Sequence, residues 1–146
     1  MSFEKVLEFL IEKIHDQYGI MTYLKKNGNP EPLNDDLRIL LYRTVHELLI
    51  NIVKHAQAQN IKVSIQKDRN HIRIEVEDDG IGFDTTTIQY HAGKQSGFGL
   101  FSLQERLRYL GGQIEFKSKH RHGTRVSLVV PLKENGRTIR GEMKCA

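Results

Sequence analysis

Residues 61–65 read IKVSI and residues 72–76 read IRIEV, two runs in which apolar and polar side chains alternate without a break. Successive side chains of a strand point to opposite faces, so Ile61, Val63 and Ile65 share one face, as do Ile72, Ile74 and Val76. The polar turn KDRNH, residues 67–71, joins them as two half-buried strands. Such a hairpin does not hold together alone in water. It needs further strands and an apolar layer over its inward face.

Three helical periodicities provide that layer. Phe3, Val6, Leu7, Leu10, Ile11 and Ile14 recur at helical spacing over residues 3–17, with Gly19 as a stop. A long helix capped by Asn34 or Asp35 runs to about Ala58, and a third carries Leu100, Leu103, Leu107 and Leu110 on one face before Gly111-Gly112. Further strands are expected at 20–25, 113–118 and 124–130, the last stopped by Pro131. The order α-β-α-β-β-α-β-β predicts the α+β class: a two-layer α/β sandwich with three helices on one face of a mixed, mostly antiparallel sheet. The expected domain is 1–133, with 134–146 a charged, frayed tail.

At 146 residues the chain suits a single core, and 38% apolar with 27% charged residues is ordinary for a globular protein. No apolar run approaches the ~20 residues needed to span a bilayer, and no signal peptide precedes the first helix. With Cys145 as its one cysteine, the chain is expected in a reducing cytoplasm, any membrane anchor belonging to a longer parent protein. The net charge of +4 gathers partly in KSKHRHGTR, residues 117–125. Without interleaved aromatics this reads as a solvated turn, so neither nucleic acid nor membrane is an expected direct partner.

On the long helix, Leu41, Val45, Leu48, Leu49, Ile52, Val53 and Ala56 form an apolar arc, while Glu47, Asn51, Lys54 and His55 share the other side. A solvated outer face explains that side. An acid and an amide four residues apart, with a lysine and a histidine, also suit a divalent metal with phosphates. His46-Glu47 does not begin a zinc-binding HExxH, because residue 50 is isoleucine. His71, His91, His120 and His122 lack metal-site spacing. In EDDGIGFD, residues 77–84, two glycines follow three acids, a poor cradle for a polyanion.

HELLINIVKHA, the stretch from Glu77 and GFGLFSLQERL together resemble the ATPase domain of the GHKL superfamily: DNA gyrase, a heat-shock chaperone, histidine kinases and a mismatch-repair ATPase. Residues 47–55 are similar to its N box, Asp78-Asp79-Gly80-Ile81-Gly82 to its G1 box, Gly97-Phe98-Gly99-Leu100 to its G2 box, and Gly123-Thr124 to its terminal G-T element. DDLRILLYRTVHELLINIVKHA, a short lid and GFGLFSLQERLRYLGG most resemble the sensor histidine kinases whose response regulators carry LuxR-type DNA-binding domains.

The resemblance implies the Bergerat ATP-binding fold, with ATP and Mg²⁺ as ligands. It implies that Asp78 accepts from the adenine 6-amino group and that Gly80 and Gly82 admit the base. Asn51 would hold Mg²⁺, with Glu47 a catalytic residue placing a water or metal ligand. Lys54 and His55 would approach phosphates or ribose, Gly97, Gly99 and Leu100 would meet phosphates at the start of the third helix, and Thr124 would assist in the pocket. Lys94, in the polar lid 85–96, would add positive charge on closure. The implied activity is transfer of the ATP γ-phosphoryl group to a histidine on a separate dimerisation domain, then to a response regulator. His15 is not that acceptor, since no second helix follows it to form a hairpin. A free-standing serine kinase that sequesters a sigma factor is the alternative, and a nucleotide-sensing scaffold without transfer a third.

Overall fold

The computed structural model describes residues 2–28, 33–82, 98–118 and 122–132. Helix α1, Phe3–Tyr18, starts where the Ser2 side chain accepts from the Lys5 N–H at 3.2 Å and ends at Gly19, whose N–H returns to His15. Helix α2, Asp35–His55, is capped by Asn34 rather than Asp35, its side chain accepting from the Leu37 N–H at 2.9 Å. It stops three residues before the expected Ala58, because Gln57 takes a positive φ of 54° and turns the chain towards the sheet. Helix α3 spans Phe98–Tyr109.

Five strands form one sheet: β1 Met21–Gly28, β2 Asn60–Lys67, β3 His71–Asp78, β4 Gln113–Ser118 and β5 Thr124–Pro131. Their order is β1-β2-β3-β5-β4, parallel between β1 and β2 and antiparallel elsewhere. The expected mixed, mostly antiparallel sheet is present. Strand β1 runs to Gly28 instead of Lys25 because it pairs with β2 along its whole length, Met21 opposite Asn60 and Gly28 opposite Lys67. Propensity in β1 alone is too weak to mark that end.

The alternation of β2 and β3 is obeyed residue by residue. Ile61, Val63, Ile65, Ile72, Ile74 and Val76 are buried, while Lys62, Gln66 and Arg73 on the other face are exposed. The helices cover the apolar face, α1 against β1, α2 against β3 and α3 against β4. Leu7, Leu41, Leu49 and Ile74 have no exposed surface. Burying each such side chain contributes about 1.5–3 kcal/mol relative to leaving it in water.

Helical spacing misplaced a few residues. Leu110 falls beyond α3 and is 42% exposed, because the Gly112 N–H closes onto the Leu107 carbonyl at 2.7 Å and the chain leaves the helix. Val6 and Val53 are half-buried rather than central to their arcs. Thr44 is buried in α2, its hydroxyl donating to the Leu40 carbonyl at 2.8 Å, a polar residue made compatible with the core by its own helix. The lid 85–96 and the tail 134–146 lie outside the described residues.

Candidate functional site

The covered face of the sheet changes character at one end. Two rows across it are apolar: Ile65, Ile74, Leu128 and Ile114, then Val63, Val76, Val126 and Phe116. The next row reads Thr22, Ile61, Asp78, Thr124 and Ser118. Residues opposite one another across a sheet point to the same side, so three polar side chains stand together where the core ends. Asp78 is 8% exposed and Thr124 6%. Thr124 lies with its hydroxyl 3.0 Å from that of Ser118.

The three consecutive acids have three separate surroundings. Glu77 points to the open face and pairs with Arg125 across β5. Asp79 takes the N–H groups of Gln59 and Asn60 at 2.9 Å and the Asn60 side-chain amide at 2.8 Å, pinning the turn between α2 and β2. Desolvation is the largest single influence on Asp79 and acts upward, but the bonds from Asn60 and Gln59 together hold it below the usual aspartate range. Asp78 alone turns inward. Burial pushes its carboxyl above the usual range, reinforced by the charge of Asp79 and opposed by the Gly80 N–H, which donates to it at 2.7 Å. Among the described residues no other group donates to it.

Two glycines bring these backbones together. A β-carbon on Gly80 would sit 2.2 Å from the Ala56 carbonyl oxygen, where the next residue, Ile81, donates its N–H at 2.8 Å. The loop after β3 is thus seated on the end of α2. A β-carbon on Gly123, at φ +85°, would sit 2.1 Å from the Asp78 carbonyl oxygen. Gly82 follows in the same loop and is buried.

On α2, Glu47 and Asn51 are half-buried one turn apart, whereas Lys54 and His55 are exposed in the last turn. The four therefore share a side but not an environment. Glu47 lines a groove of about 610 Å³ between α2 and α3, with Tyr42, Arg43, His46, Leu103 and Arg106. Asp78, Thr124, Ser118 and Gly123, together with Lys62, Glu77 and Arg125 from the open face, line a recess of about 720 Å³ at the sheet end. Gly99 and Leu100 fall in the first turn of α3, while Lys94 and Gly97 lie outside the described residues.

No group of three or more His, Cys, Asp or Glu residues able to hold a metal occurs among the described residues. No helix there is long and apolar enough to cross a membrane. The Nδ1 of His15 meets the Ile20 carbonyl at 3.0 Å and ties the end of α1 to the start of β1. Sequence reasoning missed Ser118 and Asn60. Ser118 was findable, as a polar residue in phase with inward-facing Ile114 and Phe116.

The sequence pattern of histidine kinase-, DNA gyrase B-, and HSP90-like ATPases matches residues 36–134. The chain is 32% identical over 121 residues to the oxygen sensor histidine kinase NreB of Staphylococcus carnosus (strain TM300), covering 83% of this chain and 34% of that protein. It is 30% identical over 126 residues to the signal transduction histidine-protein kinase/phosphatase DegS of Brevibacillus brevis, covering 86% and 31%. The chain thus spans about a third of the length of these curated relatives. The histidine kinase domain of a blue-light activated histidine kinase from Erythrobacter litoralis EL346 superposes with a TM-score of 0.73 at 19% identity, over 98% of this chain and 67% of that one. The histidine kinase AdeS of Acinetobacter baumannii gives 0.69 at 18% identity, over 91% and 66%. At these identities the superpositions establish the fold, including α1 and β1, which precede the matched pattern.

Proposed function

The chain belongs to the family of histidine kinase-, DNA gyrase B-, and HSP90-like ATPases, and from that premise we propose that it is the ATP-binding catalytic domain of a sensor histidine kinase. In this reading it presents the γ-phosphoryl group of ATP to a histidine on a separate dimerisation domain, for relay to a response regulator, in the cytoplasm where ATP is held. The observation that carries it is the buried, inward-facing Asp78 carboxylate at the polar end of an otherwise apolar sheet face.

That position suits adenine. The flat base can extend the apolar row that holds Val76 and Val126, while its 6-amino group donates to Asp78. Guanine offers a carbonyl there and is repelled by the carboxylate. Asp79, through Asn60, and Gly80, against Ala56, hold the loop so that Asp78 does not swing away.

Phosphates and metal fall to other residues. Asn51 and Glu47 offer an amide oxygen and a carboxylate one turn apart, hard oxygen donors of the kind Mg²⁺ takes while keeping phosphate and water oxygens for its other positions. When bound, Mg²⁺ supplies neutralisation of phosphate charge. Exposed Lys54 and His55 add positive charge or hydrogen bonds at the end of α2, and the first turn of α3, at Gly99 and Leu100, offers backbone N–H groups. Phosphoryl transfer needs mainly positioning and charge neutralisation, which these groups supply.

The relatives named as histidine kinases favour this reading over a free-standing serine kinase. The test is ATP binding with and without Mg²⁺ in the wild type, Asp78→Asn and Asn51→Ala, followed by addition of an acceptor-helix hairpin and assay for acid-labile phosphohistidine. Unchanged ATP affinity in Asp78→Asn overturns the site, and phosphoserine in place of phosphohistidine overturns the reaction.

A further inference from the structure

The polar row contains a side chain to which neither the sequence motifs nor the proposed site gives a role. Ser118, the last residue of β4, lies opposite Thr124, which lies opposite Asp78. Its Oγ is 3.0 Å from the Thr124 Oγ1 and 3.4 Å from the Gly123 carbonyl oxygen. A threonine hydroxyl rotates about its C–O bond, so what a buried one shows to a ligand depends on its protein partner. Here that partner is Ser118.

We propose that Ser118 is a positioning residue for base recognition, fixing the Thr124 hydroxyl so that its oxygen faces the purine as an acceptor beside Asp78. The inference rests on the nucleotide reading above and deepens it. A proton donated by Ser118 to the Gly123 carbonyl leaves the Ser118 oxygen to accept from Thr124. The Thr124 proton is then directed towards Ser118 and its two lone pairs are left to accept from the base. Two neighbouring acceptors match an exocyclic amino group, whose nitrogen carries two hydrogens. They oppose a carbonyl at the same ring position. Ser118 thereby contributes to choosing adenine without touching it.

The 146-residue chain is titrated with ATP and with inosine triphosphate, which carries a carbonyl where adenine has its amino group. The variants are Ser118→Ala, Ser118→Thr, Thr124→Ala and the Ser118→Ala/Thr124→Ala pair. Ser118→Ala is expected to weaken ATP about three- to tenfold, the scale of one net hydrogen bond, and to narrow the preference for ATP over inosine triphosphate. Ser118→Thr restores ATP to within about twofold, and Ser118→Ala costs nothing further once Thr124 is alanine. Equal losses for both nucleotides, or losses that add in the double variant, overturn the proposal. If circular dichroism shows Ser118→Ala unfolded, the nearly isosteric Ser118→Cys, a weak donor, enters the same comparisons. Asp78→Asn separates the two levels. Unchanged ATP affinity there removes the base site itself, whereas loss there with wild-type behaviour at residue 118 removes only the role of Ser118.

Discussion

Gly123 lies against the backbone of Asp78 so closely that a β-carbon on it would stand 2.1 Å from the Asp78 carbonyl oxygen. Two glycine-containing motifs far apart in the sequence are thus one structural unit, with β5 locking the loop that aims the Asp78 carboxylate. Gly123→Ala must move one backbone or the other, and its φ of +85° adds about 1–3 kcal/mol of strain. Urea unfolding should show a loss of at least that size, with ATP affinity falling further than that of the exposed control Gln66→Ala, on the open face.

Asp78→Asn keeps the size of the side chain but replaces an acceptor oxygen with a donor. We expect ATP affinity to fall by about tenfold or more, the cost of mismatching a charge-assisted hydrogen bond. The ligand-free chain should be no less stable at neutral pH, because burial already disfavours the charged form of Asp78. A calorimetric titration and a thermal melt together separate this outcome from simple misfolding.

Neighbouring aspartates should respond to acid with opposite signs. The folded-state pKa of Asp78 is raised above the ordinary 3.8, so its ionisation opposes folding. That penalty is absent below the unfolded value and grows as pH rises through the folded one. The folded-state pKa of Asp79 is lowered below 3.8, so its contribution is present above the unfolded value and disappears as pH falls through the folded one. Asp79→Ala should therefore flatten the loss of stability below about pH 4, whereas Asp78→Asn should steepen it above about pH 4, where acidification relieves the wild-type penalty. Denaturant midpoints measured from about pH 3 to 7 check both slopes.

Glu47 and Asn51 should separate binding from transfer. Asn51→Ala is expected to make ATP binding nearly independent of Mg²⁺. Glu47→Gln should bind ATP within about threefold of wild type while slowing histidine phosphorylation about tenfold or more, the pattern of a group that positions the reaction. Single-turnover transfer to an acceptor hairpin is the measurement. A fall in ATP affinity equal to the fall in rate would show Glu47 acting on binding alone.

Much of this was legible in the chain itself. Alternation told which faces of β2 and β3 are buried, helical spacing found α1 and α2, and Asn34 marked where α2 begins. These signals arise within a few residues, from the geometry of a strand or helix and the exclusion of apolar side chains from water. The boxes around Asn51, Asp78, Gly99 and Thr124 were equally visible, because their residue types stand at fixed local spacing.

Adjacency was decided only by the tertiary structure. Nothing local states that β1 pairs in parallel with β2, or that β5 enters between β3 and β4 and places Thr124 and Ser118 in file with Asp78. Those neighbours come from the strand pairing that best covers the apolar rows after the entropy of closing long loops is met. The same packing sends Asp78 into the core's polar end and turns Asp79 out to clamp Asn60, although the two side chains are chemically identical.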